Sequence, residues 1–567
     1  MIAQTNLSYI TTALTDLKEK IAPMIQPIQI EAETKFICFL SIGNPFIRAR
    51  VLCEINQSFD KVFQNLEKKA IQLVRKNHLD PEWMKIDYVT NVEQLPFQQL
   101  EQKIANTRRN YFRYGIAFDE QFQLAFLEQE INGNALIRQL PNKKIGLHDK
   151  NVNHYLKVKQ SNKLLFMKEH YRNKNVYIFE TKSYFKERTE EYIHELYNGS
   201  LSNGLRKTTN MKDEVAHLIE KSTQFLTRQV GENGKFQYGY FSAFGKSIAN
   251  YNILRHASSL YAMMEGYEII RDEKVVQAVE RGLNYLIDSA IVYKKEDTAF
   301  VVEHANNGEI KLGSNATAIL AMTKYMTVTG NDNYLEIAQA LARGIIEMKL
   351  PDSSFIHVLQ YPGFEIKEMN RIIYYEGEAI FALLRLYALD KESQWLEEVK
   401  DSFDYFIKKD YWKYHDHWLS YAANELVTYA PDDAYFEFGL KNCHNRLQFI
   451  YHRETTFPTF LELTMAAYKM IHRMKELGKE YLLNNFDEDF LVETIDRRAE
   501  FQRVGFFYPE QAMYMKQPSL ILDGFFIRHH SFRVRIDDVE HYLSGYCQYY
   551  HERIGKQTNI EAPILDV

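Results

Sequence analysis

Glutamates inside apolar runs are the first residues in this sequence whose placement suggests chemistry. Glu425 and Glu462 lie within AANELVTY and TFLELTMAAY, where an ionised carboxylate is costly unless it is paired or faces water. Burial also raises the pKa of a carboxyl group, which is what a general acid requires. We therefore predict both as catalytic residues, with a buried structural hydrogen bond as the alternative for each.

The stretch YYEGEAIFALLRLY at 374–387 supplies a third carboxylate. Glu376 and Glu378 are two residues apart, so they cannot share one face of a helix. Glu378 shares a face with Tyr374 and Tyr375, and we predict that Glu378 is catalytic and that both tyrosines bind substrate. Glu376 is better explained as a partner of an arginine or of the helix dipole.

The segment that begins at Asp537 offers a carboxylate and an imidazole on one helical face. Asp537 and His541 are four residues apart, an arrangement suited to acid–base catalysis, and both are predicted as catalytic. Asp537 and Glu540 also match a capping box, and carboxylates in a first helical turn are favoured by the dipole alone. A purely structural role is therefore the stronger explanation of the acidic residues.

Other polar residues at the starts of apolar helices could bind the hydroxyl or charged groups of a ligand. Cations there, together with the positive ends of helix dipoles, favour carboxylated sugars or phosphorylated ligands. The same cations could instead pair with neighbouring carboxylates, and His256 is equally well explained as a core histidine. The predicted substrate-binding residues are Asn252, Arg255, His256, Lys311, Asn315, Arg371, Tyr374, Tyr375, Trp418, Tyr421, Asn424, Arg533 and Arg535.

Two short clusters invite a metal interpretation, but neither carries a full set of ligands. HDH at 415–417 and CH at 443–444 lack further donors at convincing spacing. The four cysteines are scattered without a CxxC pair, which argues against a structural zinc site or a disulfide framework. We therefore predict no metal and no cofactor.

From residue 211 onwards the sequence predicts helices alone, in two alternating kinds. One kind is charged on one face and needs solvent there, at 213–229, 273–289, 333–348, 394–408, 434–451 and 486–503. The other kind is apolar nearly all round after a polar start, at 252–269, 314–327, 376–389, 418–429, 459–471 and 537–551. Alternation at a period of about 60 residues predicts a repeat array, with an inner ring of apolar helices inside an outer ring.

Three junctions between these helices resemble the hairpin joints of the six-hairpin (α/α)6 toroid superfamily. They are GYEIIRDEKVVQAVERGLNYLI at 266–287, KYMTVTGNDNYLEIAQALARGII at 324–346 and RLYALDKESQWLEEVKDSFDYFI at 385–407. The superfamily includes glycoside hydrolases, polysaccharide lyases, N-acylglucosamine 2-epimerases and the C-terminal domain of glucuronyl C5-epimerases. The resemblance covers about 213–555 and implies the fold; no catalytic signature of a single family accompanies it.

The first 210 residues have a different character, with strands as well as helices. Strands are predicted at 36–42, 48–55, 85–89, 114–117, 163–168 and 175–180, and helices at 59–77, 98–106, 121–130 and 188–197. NGSLSNG at 198–204 has the composition of a linker. The predicted protein is multi-domain: a mixed α/β module (1–150), an α/β extension and linker (151–210), and an all-α (α/α)6 toroid of about six helical hairpins (211–567).

Composition and charge argue against several classes of protein. With 46% hydrophobic and 25% charged residues, the 567-residue chain can bury a large core in more than one domain. A net charge of −6 without a basic run interleaved with aromatics gives no sign of nucleic-acid binding. No window approaches the roughly 20 apolar residues of a membrane span, and no secretory signal is read, so we expect a cytoplasmic protein of undetermined oligomeric state.

Three functions remain open from the sequence. The first is a carbohydrate-active enzyme of glycoside hydrolase type, acting on a glycan, with uronate-containing glycans among the candidates; two of Glu378, Glu425, Glu462 and Asp537 would be its acid and base. The alternative chemistry is that of a uronate C5-epimerase or a polysaccharide lyase. A non-catalytic scaffold that binds a glycan or a partner is the alternative from another class. If Glu378, Glu425 and Glu462 lie far from one another, or if each is sealed in a salt bridge away from the starts of the inner helices, the hydrolase hypothesis fails.

Overall fold

The computed structural model describes residues 2–31, 33–141, 143–159 and 165–555. It is a multi-domain α/β plus helical protein, in which an α/β region precedes a helical region. The α/β region contains α1 (Ile2–Ile21), β1 (Ile28–Ile30), β2 (Glu33–Asn44), β3 (Ile47–Asn56), α2 (Phe59–Asn77), β4 (Trp83–Pro96), α3 (Phe97–Asn106), β5 (Gly115–Ala117), β6 (Ala125–Phe126), α4 (Glu128–Gly133), β7 (Ile137–Gln139), β8 (Ile145–Leu147), α5 (Asp149–Lys159), β9 (Asn175–Glu187) and β10 (Ile193–Leu196).

One antiparallel sheet organises the α/β region. Its strand order is β1-β2-β4-β9-β5-β6, with β3 paired to β2 and β10 paired to β9. Because β9 pairs with β4 along most of its length, the segment 151–210 contributes a central strand to the sheet of the preceding residues. Helices α1 and α2 bury their apolar faces against this sheet. The domain boundaries placed inside this region stay a prediction.

Most elements predicted before residue 210 are confirmed, and two predicted helices are wrong. At 121–130, the Asp119 carboxylate accepts backbone N–H bonds from the residues that follow it, which favours a turn, and β6 pairs with β5. At 188–197, β10 pairs with β9, so tertiary strand pairing overrides local helix propensity. The strand predicted at 163–168 lies partly outside the described residues, and its last residue begins a 3₁₀ turn, Lys168–Tyr171.

Two sets of helices alternate through residues 211–555, as predicted. The outer set is α6 (Met211–Gln229), α8 (Glu273–Ala290), α10 (Leu335–Glu347), α12 (Ser393–Lys408), α14 (Asp433–His444) and α17 (Glu488–Gln502). The inner set is α7 (Ile253–Ile270), α9 (Leu312–Thr329), α11 (Tyr374–Asp390), α13 (His417–Tyr429), α16 (Thr459–Glu476) and α19 (Ile536–Tyr549). Two short helices, α15 (Leu447–Tyr451) and α18 (Pro509–Ala512), interrupt the pattern.

The inner helices form a closed ring within the described residues 253–549. Each inner helix packs against the next one along the chain, and α19 packs back against α7. Small residues such as Ala257, Ala316, Ala379 and Ala422 are fully buried, which allows the helices to approach closely. Because an outer helix returns the chain after each inner one, the inner helices start at the same end of the ring.

Short strands line the end of the ring where the inner helices start, so the prediction of helices alone is wrong there. They are β11 (Gly239–Phe241), β12 (Lys246–Ser247), β13 (Ile291–Lys295), β14 (Thr298–Glu303), β15 (Glu309–Lys311), β16 (Val358–Gln360), β17 (Glu365–Glu368) and β18 (Arg533–Arg535). β15 leads directly into α9, and β18 leads directly into α19. Strands of two to six residues leave almost no periodic signal, which is why the sequence did not predict them.

The α/β region docks against the ring through buried polar contacts. Arg206 donates two hydrogen bonds to the Glu510 carboxylate, at 2.9 and 2.7 Å. Arg48 donates to backbone carbonyls of both regions, including Gly133 at 2.9 Å and Ala243 at 2.8 Å. Every helix of the described residues is too short or too polar to cross a membrane.

Candidate active site

Two histidines and a glutamate from three inner helices meet at the end where the helices start. His541 of α19 bonds through Nδ1 to Glu462 Oε2 of α16, at 3.0 Å. His417, the first residue of α13, lies with Nε2 4.0 Å from the same carboxylate. The two imidazole ring centroids are 5.2 Å apart, and the Tyr421 hydroxyl donates to Glu462 Oε1 at 3.2 Å. Side chains from three helices that lie 40 residues or more apart in the chain thus form one cluster.

The two histidines have opposite pKa shifts. Burial alone would lower the pKa of His541, but the carboxylates of Glu540 and Glu462 outweigh it and raise the pKa to about 10. Burial, followed by the charge of His541, lowers the pKa of His417 well below its ordinary value. At neutral pH, His541 is therefore a protonated imidazolium and His417 is a neutral imidazole.

The neighbouring Asp416 orients the imidazole ring of His417. Its Nδ1 lies 3.4 Å from Oδ1 of Asp416, and Asp416 is itself held as the cap of α13 by the backbone N–H groups of Trp418 and Leu419. His417 Nε2 is buried and has no hydrogen-bond partner among the described residues. This arrangement favours the Nδ1–H tautomer and leaves a lone pair on Nε2.

Two further buried carboxyl groups lie close to the histidines. Burial, with Asp416 and Glu540 next in importance, raises the pKa of Glu378 well above its ordinary value, and Glu378 Oε2 has no hydrogen-bond partner in the described structure. Burial is also the main cause that raises the pKa of Glu540 to about 8, and Glu540 accepts a hydrogen bond from the Ser258 hydroxyl at 2.9 Å. Glu378 can hold a proton at neutral pH.

Glu425 lies apart from this cluster. It is near the end of α13, where its carboxylate pairs with Arg385 at 3.3 Å and accepts a hydrogen bond from Tyr429 at 3.3 Å. Asn424 precedes it on the same helix, away from the starting end. Of the three glutamates on which the sequence prediction depended, Glu378 and Glu462 therefore lie with the histidines, whereas Glu425 is held in a separate salt bridge.

The five cations predicted to make the mouth positive are paired with carboxylates. This is the alternative that the sequence left open. The pairs are Arg255 with Asp537 at 3.1 Å, Arg533 with Asp538 at 3.2 Å, Arg535 with Asp537 at 2.7 Å, Lys311 with Glu303 at 2.8 Å, and Arg371 with Glu309 at 2.7 Å.

Three of the predicted binding residues have structural contacts that explain them. His256 is buried, bonds to the Gly282 carbonyl at 2.9 Å and to a tyrosine hydroxyl, and has a pKa that burial lowers to about 4. Asn252 caps α7, and Asn315 bonds to backbone groups of β14 and β15. Contacts to backbone groups occupy all three side chains.

Aromatic rings from the predicted set surround the histidines. The ring of Tyr374, which is 38% exposed, lies 5.7 Å from the His417 ring. Trp418 is buried and packs beside His417, at 5.2 Å between ring centroids. Tyr375 packs against His357, whose Nε2 pairs with Glu376 at 2.8 Å. A flat sugar ring could stack on the exposed face of Tyr374.

The sequence drew attention to His417 only within the HDH motif, and His417 was not among the predicted catalytic or substrate-binding residues. The signal that could have found it is its position as the first residue of an inner helix, directly after the cap residue Asp416. His417, Glu462 and His541 also offer donor atoms that all lie within 4.8 Å of one another, close enough to hold a metal ion. Two imidazoles and one carboxylate suit zinc, iron or manganese, so the absence of a metal stays a prediction.

No protein-family model and no curated protein matches the sequence. Among solved structures, the cellobiose 2-epimerase of Bacillus thermoamylovorans is similar at 11% identity and a TM-score of 0.46, over 60% of this chain and 100% of that one. A D-mannose isomerase aligns at 10% identity and a TM-score of 0.45, over 59% and 96% of the two chains. An unsaturated glucuronyl hydrolase specific for heparin aligns at 11% identity and a TM-score of 0.43, over 60% and 97%.

Proposed function

We propose that this chain is a carbohydrate-active enzyme with an (α/α)6 toroid, and that it moves a proton on a sugar carbon next to a carbonyl or carboxylate group. The reaction is of the epimerase or isomerase type. The observation that carries the proposal is the pair of histidines on either side of the Glu462 carboxylate, with His541 Nδ1 at 3.0 Å and His417 Nε2 at 4.0 Å from its Oε2. The pKa of His541 is raised and that of His417 is lowered, so the two imidazoles differ in protonation at neutral pH. Such a pair supplies a base and an acid at the same pH.

The proposed chemistry assigns one role to each side chain. His417 Nε2, with its free lone pair, accepts the proton from the carbon. The electron pair of the broken C–H bond moves to the carbonyl oxygen, and the His541 imidazolium stabilises the resulting enolate by hydrogen bonding. Delivery of a proton to the same carbon on the other face, from the His541 imidazolium, gives an epimer. Delivery of a proton to the former carbonyl carbon gives an isomer when the hydroxyl proton of the first carbon also moves to the former carbonyl oxygen.

Glu462 is the residue that makes this assignment possible. Its carboxylate holds His541 in the charged form, and its contact with Tyr421 fixes its own orientation. Substrate access is favoured on the His541 side, because that side chain is 22% exposed and its Nε2 makes no hydrogen bond among the described residues.

Hydrolysis is the second candidate, favoured by Glu378. A buried carboxyl group with a raised pKa is suited to protonate the leaving oxygen of a glycoside. The ion-paired Glu462 would then be the second carboxylate. This version of the hydrolase hypothesis does not use Glu425, which is held by Arg385.

Deuterium incorporation distinguishes these functions. The full-length protein is incubated in D2O with a panel of aldoses, ketoses and uronates, with and without a chelator, and the sugars are examined by NMR and mass spectrometry. An epimerase or isomerase introduces deuterium at a carbon, whereas a hydrolase or a binding scaffold does not. We expect incorporation that falls by at least about 100-fold in His417→Gln and in His541→Gln, because general acid–base catalysis contributes typically 10²–10⁴-fold.

The exposed His472 of α16 provides the matched control, since His472→Gln changes the same residue type outside the cluster. Incorporation at the wild-type rate is expected in that variant. Release of reducing ends from oligosaccharides without deuterium incorporation would refute the proton-transfer proposal in favour of hydrolysis. Loss of incorporation with the chelator, restored by added metal, would instead assign the histidines to a metal.

A further inference from the structure

A cavity of about 320 Å³ lies in the α/β region, apart from the histidine cluster. Its wall is formed by α3, the segment 107–115, the start of α4, β9 and the segment 198–203. The whole lining thus comes from residues 103–203, whereas the histidine cluster comes from residues 417–541. The volume lies at the lower end of the range for small-molecule sites, about 300–1,000 Å³.

The segment NGSLSNG at 198–204, whose composition is that of a linker, forms one side of this cavity. Its two ends are joined, because the Gly204 N–H donates to the Tyr197 carbonyl at 2.8 Å and the Tyr197 N–H donates to the Leu205 carbonyl at 2.8 Å. Gly204 has a φ of +82°, which favours glycine. The segment therefore closes into a loop that lines the cavity.

Arg113, which lines the cavity, shares one carboxylate with Arg528 of the ring. Arg113 Nε lies 3.2 Å from Glu128 Oε1, and Arg528 Nη1 lies 3.3 Å from the same oxygen. The three side chains are only 5–7% exposed. Among the described residues, Glu128 is the only carboxylate with an oxygen within 4.0 Å of either guanidinium group. The trio Arg113, Glu128 and Arg528 therefore carries one excess positive charge in a buried place.

Arg113 also has hydrogen-bond donors without acceptors. Its Nη2 donates to the Asn203 carbonyl at 2.7 Å. Its Nε and Nη1 are buried and have no hydrogen-bond partner in the part of the chain that the structure describes, since the approach of Nε to Glu128 lacks hydrogen-bond geometry. Buried donors without acceptors are costly, which favours a ligand that supplies acceptor oxygens.

Glu128 is already fully engaged and cannot neutralise both arginines. Its Oε1 accepts a hydrogen bond from Asn132 Nδ2 at 3.0 Å, and its Oε2 accepts one from the Asn203 side chain. The positive charge of Arg113 is, after burial, the next cause that lowers the pKa of Arg528 to about 10. The two guanidinium groups therefore repel each other across the one carboxylate.

The other charged residues of the wall leave this excess charge in place. Lys103 pairs with Glu93 at 3.1 Å, and its Nζ lies 4.8 Å from the centre of the Tyr114 ring. Glu180 is exposed, so solvent and salt screen its carboxylate.

Aromatic rings and polar groups form the rest of the wall. The rings of Phe112 and Tyr114 contact each other at 5.6 Å between centroids. The ring of Phe179 covers Gly115 so closely that a Cβ there would clash with it. Ser200 adds a hydroxyl group. Flat apolar faces with a few polar groups are typical of sites for small molecules.

From this geometry we infer that the cavity binds a singly charged carboxylate on a ligand of about the size of a monosaccharide, and that Arg113 receives the carboxylate. A guanidinium fork matches the two oxygens of a carboxylate. One negative charge cancels the excess of the trio, whereas a phosphate ester, with close to two charges, exceeds it. The site is separate from the histidine cluster, so the inference goes beyond the proposed function and does not depend on it.

A structural role explains Arg528 but not Arg113. Arg528 joins the ring to Glu128 of the α/β region, and this pair alone is neutral. Adding a second guanidinium to a neutral buried pair is unfavourable unless another anion accompanies it. Arg113 and Glu128 belong to the same region, so their contact is not required to join the two regions.

Isothermal titration of the full-length protein tests the inference. The probes are D-glucuronate and benzoate as two ring-sized carboxylates, D-glucose as the neutral ring, and glucose 6-phosphate. We expect at least one carboxylate to bind at least about tenfold more tightly than glucose. The glucuronate and benzoate arms show whether a sugar acid or a flat apolar acid is preferred. The inference is overturned if neither carboxylate binds more tightly than glucose, or if glucose 6-phosphate binds most tightly of all.

Substitutions of Arg113 make the result specific. Arg113→Gln should weaken carboxylate binding by at least about tenfold, whereas Arg113→Lys, which keeps the charge, should retain part of it. Arg75→Gln is the matched control, because it removes an exposed arginine of α2 in the same region, and it should bind as wild type does. Equal binding by Arg113→Gln and wild type, or an equal loss in Arg75→Gln, would contradict the inference.

Thermal denaturation separates ligand binding from a structural role. Arg113→Gln leaves the neutral pair of Arg528 and Glu128, so its Tm should be equal to that of wild type or higher. Glu128→Gln leaves two guanidinium groups without a carboxylate, so its Tm should fall. A saturating carboxylate should raise the Tm of wild type but not that of Arg113→Gln. A lower Tm in Arg113→Gln, with no effect of carboxylates on wild type, would assign Arg113 a structural role and overturn the inference.

A uronate could also bind at the histidine cluster, so the two sites are compared directly. Carboxylate binding at the cavity should persist in His417→Gln and should be lost in Arg113→Gln. Binding that is lost in His417→Gln and kept in Arg113→Gln would assign the carboxylate to the ring and overturn the inference.

Discussion

Replacing Glu462 by glutamine should lower the pKa of His541, because it removes one of the two carboxylates that raise this pKa. The pKa of His541 rises from 6.5 to about 10, which corresponds to about 5 kcal/mol of favourable interaction with the charged imidazole. Glu540 and Glu462 share this interaction against the cost of burial. Loss of one carboxylate at hydrogen-bond distance should lower the pKa of His541 by about 1–3 pH units.

The sign of the effect on stability follows from the raised pKa. A histidine with a raised pKa in the folded state contributes stability that is fully present below about pH 6.5 and is lost as the pH rises towards 10. In Glu462→Gln this loss should be smaller and should be complete at a lower pH. The upper limb of the pH dependence of deuterium incorporation should move down with it.

Histidine labelled with ¹³C at Cε1 provides the assay. The His541 signal is assigned by its absence from the spectrum of His541→Gln, and its titration is followed in wild type and in Glu462→Gln. Glu425→Gln is the matched control, because Glu425 is also a glutamate in an apolar inner helix but pairs with Arg385. An unchanged His541 midpoint in Glu462→Gln, or an equal change in Glu425→Gln, would refute the reasoning.

Two further predictions concern stability. Gly313→Ala places a methyl group onto Glu378 Oε2 and 2.6 Å from the Tyr375 ring, so we expect thermal denaturation to show a loss of about 1–3 kcal/mol in the free energy of unfolding. Gly146→Ala, whose new methyl group meets only a leucine side chain, should be tolerated. Arg206→Ala leaves the buried Glu510 carboxylate without its partner and should lower the free energy of unfolding by about 3–5 kcal/mol. We expect faster proteolysis where the α/β region meets the ring, and an unchanged rate would contradict this prediction.

The helical repeat could be predicted because its cause is local. A helix that must be covered on every side has an apolar residue at nearly every position, and this pattern is visible in the sequence of α9 and α11. The strands β13 to β17 could not be predicted in the same way. They are short, and the pairing that joins them into one sheet, β15 with β16, connects strands that α9 and α10 separate in the chain.

In the candidate site, too, some properties follow from the sequence and others only from the tertiary structure. Glu425 and Glu462 both lie as single carboxylates in apolar runs, so the sequence marked them equally. The neighbouring helix decides between them, because α11 presents Arg385 to Glu425 whereas α19 presents His541 to Glu462.

The sequence by itself determined which segments become inner helices and that polar residues gather where those helices start. It did so because burial on every side and helix capping act within a few residues of chain. Only the tertiary structure decided which charges are neutralised and which glutamate meets the two histidines. Those properties depend on distances of a few ångströms between residues far apart in the chain, and only the closed ring sets those distances.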